Sequence, residues 1–282
     1  MLDESQTIAA YREYLKTHRL GDPETAALDV DYLLAHCFEQ SRAWLLSHLE
    51  TRLTPKAHAS LKACYEAFIS GEPLAYVLGS QPFMSVDLAV THDTLIPRAD
   101  TGALVEWVLD RWDNSTALRV VDCGTGSGTI AVMLAHERPH WSITATDISE
   151  AALKVCEANA GRAGVTIQCV HGSWFEPLAG EFDLIVSNPP YLAKDDPHLP
   201  ALTHEPLCAL VSEDNGLADL KHLVMHAPSY LSADGVLVLE HGATQGQAVR
   251  SVFVGNEWRS VETFPDIAGR DRFTVGTRRR KQ

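Results

Sequence analysis

Apolar residues recur at helical spacing along the first part of the chain. Four of them follow one another at i, i+3, i+4 and i+7 on one face: Leu61, Cys64, Tyr65 and Phe68. Thr54-Pro55 and Asp22-Pro23 each place a capping residue before a proline, which is typical of a helix start, and Gly71 is a candidate helix stop. With a further helix over 6–20, these patterns predict a small helical bundle over residues 1–79.

The pattern changes between residues 80 and 97. Residues 83–90 alternate roughly between apolar and polar side chains, which is typical of a β-strand. Thr94-Leu95-Ile96 is a second short β-like stretch, and it ends at Pro97. We therefore predict that residues 80–97 form a β-hairpin that links the bundle to the rest of the chain.

Strand and helix patterns alternate from residue 98 onward. Seven apolar or β-branched runs predict strands: 118–122, 142–146, 166–170, 182–187, 235–240, 260–264 and 272–277. Helical patterns lie between them at 129–137, 149–160 and 217–231. Such alternation predicts an α/β domain over 98–282, with a mostly parallel, doubly wound sheet.

A glycine-rich loop from Asp122 to Gly128 lies between the first of these strands and the helix after it. Its Gly-x-Gly-x-Gly spacing differs from the dehydrogenase fingerprint, whose third glycine would fall at Thr129, and it lacks the lysine of a P-loop. Asp147 ends the next strand, where a carboxylate accepts hydrogen bonds from ribose hydroxyls. These features predict a nucleoside-type cofactor. The loop resembles that of class I S-adenosylmethionine methyltransferases, which implies a Rossmann-like, seven-stranded sheet.

Asn188-Pro189-Pro190-Tyr191 directly follows the fourth strand, and in a parallel sheet the loops at the carboxyl ends of strands face the ligand. The prolines stiffen the backbone and remove two amide donors, while Asn188 adds a side-chain carbonyl acceptor. The Asn188 side chain and the Pro189 carbonyl can hold both N–H bonds of a planar NH2 group in line with a methyl donor. Tyr191 can pack against the flat group. We predict that all four residues are catalytic and bind the substrate, which is an adenine or a glutamine side chain.

Charge and composition narrow the partners. The formal net charge is −14, and the dense basic run from Arg278 to Lys281 lies at the extreme C-terminus, so a protein substrate is favoured and direct nucleic-acid binding is not expected. The six cysteines form no Cys-x-x-Cys pair, and His222 and His226 have no obvious third ligand, so we predict no metal site. The sequence has no signal-peptide pattern and no membrane-spanning stretch, so we expect a cytoplasmic protein.

The chain resembles the protein-(glutamine-N5) methyltransferases of the release-factor type, the HemK/PrmC family. The matching stretches are Glu72-Pro73-Leu74-Ala75-Tyr76 with Gly79, Leu95-Ile96-Pro97-Arg98, Asp100-Thr101, the glycine loop, Asn188-Pro189-Pro190-Tyr191, Glu205-Pro206, Ala209-Leu210-Val211, Asp214-Asn215-Gly216-Leu217 and Leu239-Glu240-His241-Gly242. The resemblance implies S-adenosylmethionine as cofactor, S-adenosylhomocysteine as product and the glutamine of the release-factor Gly-Gly-Gln motif as substrate. It also implies that the helical domain docks the release factor. We expect a monomer.

The resemblance completes the predicted site. The predicted cofactor residues are Arg98, Asp122, Gly124, Thr125, Gly126, Gly128, Asp147, Ile148, Ser173, Trp174 and Asn188. Trp174 can lie against adenine or belong to the core, and both interpretations stay open. Glu205 joins the four catalytic residues in the predicted substrate site. Three alternatives remain: a DNA or RNA adenine-N6 methyltransferase, an enzyme that methylates a ribosomal-protein glutamine, and a cofactor-binding protein without catalysis.

Overall fold

The structure of the protein, a computed structural model, describes residues 6–20, 23–254 and 257–280. The predicted cap Asp22 and the last basic residue Lys281 lie outside the described residues. The chain divides into two compact units, Met1–Ser80 and Gln81–Gln282.

The first unit is built from helices. They are α1 (Ile8–His18), α2 (Pro23–Cys37), α3 (Arg42–Ser47), α4 (Pro55–Ile69) and α5 (Leu74–Leu78). Helix α4 starts where the sequence predicts, because the Thr54 hydroxyl accepts a hydrogen bond from the Ala57 amide at 3.1 Å. Leu61 and Phe68 on its apolar face are fully buried in the core of this unit. The short helices α3 and α5 were not predicted, since neither is long enough to show a helical period.

A two-stranded hairpin follows, with strands β1 (Ser80–Phe83) and β2 (Val86–Ala89). The predicted hairpin strands, 83–90 and 94–96, are therefore wrong. Residues 83–90 contain the turn itself, where Met84 adopts a left-handed φ of 49°. The stretch at 94–96 is not a strand, because the Ile96 amide donates to a carboxylate oxygen of Glu205 at 3.0 Å instead of to a strand.

The second unit contains a seven-stranded sheet, as the sequence predicts. Its strands are β3 (Arg119–Cys123), β4 (Ser142–Asp147), β5 (Gln168–His171), β6 (Phe182–Ser187), β7 (Leu231–Glu240), β8 (Trp258–Pro265) and β9 (Asp271–Arg278). The strand order is β5-β4-β3-β6-β7-β9-β8. Strand β9 runs antiparallel to both of its neighbours, and the other pairings are parallel.

Helices cover both faces of the sheet. They are α6 (Thr101–Arg111), α7 (Thr129–Glu137), α8 (Glu150–Ala163), the single turn α9 (Glu213–Gly216), α10 (Ala218–His226) and α11 (Gly246–Val252), with 3₁₀ turns at Leu199–Ala201, Leu207–Ala209 and Ala227–Ser229. One core forms under α6, α7 and α8, and the other under α10 and α11. The helix predicted over 217–231 ends at His226, because Pro228 removes an amide donor and the chain tightens into a 3₁₀ turn.

The strand order reverses between β3 and β6, and this reversal positions the site. Strand β3 is followed in sequence by β4 on one side, whereas β6 pairs with β3 on the other side, with Asp122 beside Val186. Ligands of open parallel sheets bind outside the carboxyl ends of the strands at such a point. The glycine loop after β3 and Asn188 after β6 therefore emerge side by side.

Candidate active site

A cavity of about 350 Å³ opens at the carboxyl ends of β3, β4 and β6. Its volume is that of an ordinary small-molecule site. Eleven of the predicted site residues line it: Arg98, Asp122, Gly124, Thr125, Gly126, Asp147, Ile148, Ser173, Trp174, Asn188 and Pro190. Four others, Gly128, Pro189, Tyr191 and Glu205, are absent from its lining. The individual roles of these residues stay predictions.

Two glycines of the loop are required for different reasons. Gly124 has a φ of 71°, and a Cβ there would lie 3.0 Å from the Trp174 ring at the edge of the cavity. Gly128 has a φ of 84° and begins α7, and a Cβ there would lie 2.7 Å from Cys156 Sγ and 2.9 Å from Val132. Gly124 therefore keeps the loop open beside the cavity, whereas Gly128 lets α7 pack against α8.

Asp147 fixes the loop as well as facing the cavity. Its Oδ2 accepts a hydrogen bond from the Gly126 amide at 2.9 Å, and its Oδ1 accepts one from the Ser149 amide at 2.8 Å. The cap of α8 is Ser149, whose hydroxyl accepts from the Ala152 amide at 3.1 Å. Each carboxylate oxygen has a second lone pair, so Asp147 keeps acceptors for ribose hydroxyls while it orders the loop.

Asp122 carries an acceptor that the protein does not use. Its Oδ2 accepts from the Thr125 hydroxyl at 2.7 Å and from the Ala131 amide at 3.2 Å. Its Oδ1 is buried and has no partner, although the residue lines the cavity. Burial raises the pKa of the Asp122 carboxyl to about 7, against the opposing hydrogen bonds from Thr125 and Ala131. A buried, unpaired oxygen beside a cavity fits a ligand that brings a hydrogen-bond donor or a positive charge.

The position of Trp174 is compatible with both interpretations that the sequence left open, and its contact with adenine stays a prediction. It lines the cavity and also packs against the core under α10 and α11. Its backbone has a left-handed φ of 46°, and its carbonyl accepts from the Thr146 hydroxyl at 3.1 Å. Across the loop, the side chain of Ile148 is 67% exposed and also lines the cavity. An apolar surface of this kind suits a flat aromatic base.

The segment after β6 is held firmly at its start. The Ser187 hydroxyl donates to the Cys123 carbonyl at 2.6 Å, which ties the ends of β6 and β3 together. Asn188 lines the cavity, and its Nδ2 donates to the Thr101 hydroxyl oxygen at 3.3 Å. Pro190 also lines the cavity, while Pro189 is buried. The Asn188 amide therefore has its nitrogen toward Thr101 and its carbonyl oxygen available on the other side.

Tyr191 lies away from the cavity lining. Its ring packs with the core under α10 and α11, and its carbonyl accepts from Gln245 Nε2 at 3.0 Å. A Cβ on Gly216 would lie 2.2 Å from the Tyr191 carbonyl oxygen, so only glycine fits beside it. Burial, followed by the charge of Glu240, raises the pKa of the Tyr191 phenol above its usual range. The phenol is thus a neutral, partly buried group that the Glu240 charge influences.

Glu205 holds the segment that precedes α6. Its Oε2 accepts from the Ile96 amide at 3.0 Å, and its Oε1 pairs with Arg98 Nη2. The Glu205 side chain is 3% exposed, whereas Arg98 is 39% exposed and lines the cavity. Glu205 is predicted to bind substrate, but the contacts that the structure gives it are with Ile96 and Arg98.

Several residues of the site region were not assigned an individual role from the sequence, among them Thr101, which lines the cavity, and Glu240, Gln245 and Arg272. Thr101 and Glu240 belong to stretches that match the family, but no local pattern indicates what they contact. Glu240 ends β7, is 1% exposed, and follows an apolar run that hides it among core residues. A buried acidic residue at the carboxyl end of a strand is the signal that could have found it.

Metal and membrane features are absent from the described part of the chain. Over residues 6–20, 23–254 and 257–280, no group of three or more His, Cys, Asp or Glu side chains could hold a metal ion. His222 and His226 stack on each other with ring centroids 4.2 Å apart. Among the same residues, none of the helices has the length and apolar character needed to cross a membrane.

Comparison with known proteins identifies the family. A model of the methyltransferase small domain matches residues 98–205, and a model of the PrmC N-terminal domain matches residues 6–79. A release factor glutamine methyltransferase of Xylella fastidiosa is 45% identical over 253 residues, which cover 88% of this chain and 92% of the relative. The chain belongs to the release factor glutamine methyltransferase family. Another family member, from Bordetella pertussis, is 42% identical over 261 residues, or 91% of this chain and 97% of its own.

Structural similarity agrees on the fold. A 16S rRNA methyltransferase of T. thermophilus, solved in complex with AdoMet and guanosine, matches with a TM-score of 0.52 at 16% identity, over 71% of this chain and 50% of that one. The strand order of this chain and that match show a class I methyltransferase fold in this member of the family. The protein is a methyltransferase of this fold, with a PrmC-type domain at residues 6–79.

Proposed function

We propose that this protein transfers a methyl group from S-adenosylmethionine to the side-chain amide nitrogen of the glutamine in the Gly-Gly-Gln motif of peptide-chain release factors. One observation carries the proposal. Asn188, which starts the Asn-Pro-Pro-Tyr segment, lines the same cavity as the glycine loop, in a chain that belongs to the release factor glutamine methyltransferase family.

The cavity residues fit such a cofactor. Asp122 offers a buried acceptor without a partner, Asp147 offers acceptors for hydroxyls, and Trp174 with Ile148 offers apolar surface for a base. Gly124 allows a ligand to approach the loop closely, because no side chain stands in front of the backbone. When bound, S-adenosylmethionine supplies a methyl group that its sulfonium strongly activates. A structure of the same fold was solved with AdoMet.

Positioning is the work of the protein in this reaction. An amide nitrogen is a poor nucleophile, because its lone pair is delocalised into the carbonyl group. In this proposal the Asn188 side-chain oxygen accepts one N–H bond, and the backbone carbonyl of Pro189, whose ring is buried outside the lining, accepts the other. The two acceptors fix the nitrogen and offset the positive charge that develops on it. The methylated nitrogen then loses a proton readily, so a strong base in contact with it is unnecessary.

A protein substrate agrees with the charge of the chain. The net charge is −14, and the described arginines of the C-terminal basic run are used within the protein. Arg278 lies 3.6 Å from Glu181, the Arg279 side chain donates to the Trp258 carbonyl at 2.7 Å, and Arg280 pairs with Asp234. We propose that residues 6–79 help to bind the release factor, in the cytoplasm where that substrate works. DNA, RNA and a ribosomal-protein glutamine are the less favoured substrates.

The test is methyl transfer from labelled S-adenosylmethionine to three acceptors: release factor, ribosomal protein and DNA. We expect label only in release factor, and none when its Gly-Gly-Gln glutamine is replaced by alanine. That replacement is the matched control, because it removes the acceptor nitrogen and leaves the docking surface. Label in DNA or ribosomal protein, with none in release factor, would overturn the proposal.

A further inference from the structure

The carboxyl group of Glu240 is an unexplained feature of the site region. It is 1% exposed, and neither of its oxygens has a partner in hydrogen-bonding geometry. A buried carboxyl without partners is costly, so such a group is retained where it serves a purpose. In the sheet, Ser187 of β6 pairs with Leu239 of β7. The next residues along these parallel strands are Asn188 and Glu240, so the unpaired carboxyl lies at the same end of the sheet as the predicted catalytic amide.

Thr101 connects the two residues. It is the first residue of α6, is 2% exposed, and lines the cavity. Its hydroxyl oxygen accepts from Asn188 Nδ2 at 3.3 Å. Helix α6 also packs against β7, and the Thr101 hydroxyl is close enough to the Glu240 carboxyl to lower its pKa. The structure shows no hydrogen bond between Thr101 and Glu240, so a shift of one of the two side chains is needed to form it.

A hydroxyl group has one proton to donate. The bond that Thr101 donates therefore determines the direction of its other hydrogen bond in the series Glu240, Thr101, Asn188. If Thr101 donates to the Glu240 carboxylate, its oxygen can only accept from Asn188, so the Asn188 NH2 must face Thr101. The side-chain oxygen of Asn188 then faces the substrate nitrogen. Without an acceptor behind it, the Thr101 hydroxyl could donate to Asn188 instead, and the amide could flip and present its NH2 to a substrate NH2.

We propose that Glu240 is a positioning residue that orients the Asn188 amide through the Thr101 hydroxyl. The inference rests on the proposed function, since it concerns how Asn188 accepts from the substrate amide. Glu240 contacts neither cofactor nor substrate in this scheme.

The groups around Glu240 fit this role. Burial raises the pKa of the Glu240 carboxyl, and Thr101, Arg272 from β9 and the Tyr191 phenol oppose this rise and favour the charged acceptor. Asp100, beside Thr101, acts in the opposite direction. Arg272 is itself shared, since its Nη2 lies 3.0 Å from Asp100 and 3.1 Å from Asp266. The Arg272 charge is therefore divided among several acids, which leaves the Glu240 carboxylate free to accept from Thr101.

The experiment compares Thr101→Val, Thr101→Ser, Glu240→Leu and the double variant Thr101→Val/Glu240→Leu by kcat on release factor and KM for S-adenosylmethionine. Leucine is used because glutamine would keep an oxygen that accepts from Thr101. We expect kcat to fall about 10-fold in Thr101→Val and in Glu240→Leu, less than for direct loss of a group that stabilises the transition state. Thr101→Ser restores the hydroxyl and should recover most of kcat. The double variant should be no slower than Thr101→Val alone, because both changes break one chain of bonds. Independent, multiplying effects would overturn the relay.

Thr274→Val is the matched control for loss of a buried threonine hydroxyl. Thr274 is fully buried in β9 and bonds to His241 and Thr263, away from the cavity. Its replacement should leave kcat of the folded enzyme unchanged. A kcat loss equal to that of Thr101→Val would assign the effect to packing and overturn the proposal.

A measurement without turnover separates this inference from the proposed function. In ¹⁵N-labelled protein, we expect the Asn188 side-chain NH2 protons to exchange slowly in wild type and in Thr101→Ser. We expect faster exchange in Thr101→Val and in Glu240→Leu. If wild type fails to methylate release factor but shows this pattern, the proposed function fails and the orientation of Asn188 stands. Equal exchange in all four proteins would contradict the orientation whatever the substrate.

Discussion

The two halves of the site, the glycine-loop side and the Asn-Pro-Pro-Tyr side, differ in how many of their buried polar atoms have hydrogen-bond partners. On the glycine-loop side, Asp147 bonds to the amides of Gly126 and Ser149, Ser149 caps α8, and one buried oxygen, Asp122 Oδ1, lacks a partner. On the Asn-Pro-Pro-Tyr side, Glu240 has two buried oxygens without partners, and Arg272 has an unpaired buried Nε. The first half is a nearly finished ligand cradle built from local contacts. The second half contains buried polar atoms without hydrogen-bond partners, which is typical of a site that changes its hydrogen bonds during a reaction.

The largest effect is expected from Asn188→Ala. Loss of the side-chain acceptor should lower kcat at least ~100-fold, the scale for removing one hydrogen-bonding group from a transition state. Affinity for S-adenosylmethionine, measured by calorimetry, should stay within a few fold, because the glycine-loop side is complete without Asn188. Near-normal turnover would show that the Asn188 side chain is not needed for catalysis and that the difference between the two halves does not affect the reaction. A large loss of cofactor affinity with normal turnover at saturation would assign Asn188 to the cofactor half.

The next effect concerns Glu240 and pH. Burial raises the pKa of the Glu240 carboxyl to about 7 from the ordinary value of 4.5, so between these pH values the folded state holds a proton that the unfolded state releases. This contribution to stability is complete below about pH 4.5 and is lost as the pH rises through about 7. Glu240→Gln removes the charge and should raise the free energy of unfolding at pH 8 relative to wild type, by up to about 3 kcal/mol at about 1.4 kcal/mol per pKa unit.

The pH comparison contains its own control. At pH 5 the carboxyl is largely protonated in the folded protein, so the gain from Glu240→Gln should be much smaller than at pH 8. Urea unfolding at the two pH values measures both. Asp122, whose pKa burial also raises to about 7, is present in both proteins and cancels in the difference. An equal gain in the free energy of unfolding at both pH values would mean that the buried Glu240 charge does not destabilise the protein. A gain in stability together with a loss of kcat would identify a group kept for function.

The third effect tests the packing of the glycine-loop half. Gly128→Ala places a Cβ 2.7 Å from Cys156 Sγ at a φ of 84°, so we expect a loss of about 1–3 kcal/mol in stability and weaker cofactor binding. Gly161→Ala is the matched control, because Gly161 lies in α8 with an ordinary φ and no atom within 4 Å of the added Cβ. That change should stabilise the protein by roughly 0.5–1 kcal/mol. Similar effects from the two alanines would contradict the packing argument.

The difference between the halves also explains what the sequence could predict. The glycine loop, Asp147 and the Ser149 cap lie within 28 residues of one another, and local spacing revealed them. Strands β3 and β6 contain the apolar runs Val120-Val121 and Leu184-Ile185-Val186, and in β4 Ile143 and Ala145 alternate with threonines, so all three could be predicted as strands. On this side the sequence predicts eight lining residues and misses five, which are Ser127, Thr129, Ile130, Ser149 and Ala152.

The other half depends on contacts between distant residues. Thr101, Asn188 and Glu240 are separated by many tens of residues, and only the pairing of β6 with β7 and the start of α6 bring them together. The predicted strand over residues 83–90 is wrong for a similar reason. The turn at Met84 interrupts an apolar and polar alternation that is continuous in the sequence. The resemblance predicts that Glu205 binds substrate. Its bonds to Ile96 and Arg98 join residues more than 100 positions apart and can be seen only in the folded chain.

The smallest effect is expected from Glu205→Gln. Glutamine can still accept from the Ile96 amide but loses the charge that pairs with Arg98, so stability should fall by about 1 kcal/mol, since the Arg98 end is partly exposed. The KM for release factor should change little if Glu205 only supports the segment that carries Arg98. The predicted direct contact with substrate gives the opposite pattern, a KM at least several fold higher with unchanged stability. Glu205→Ala serves as the control, because it removes both bonds and should cost more stability than the glutamine variant. The two variants together decide whether Glu205 belongs to the substrate site or holds the segment beside the cavity, which neither its motif nor its burial decides alone.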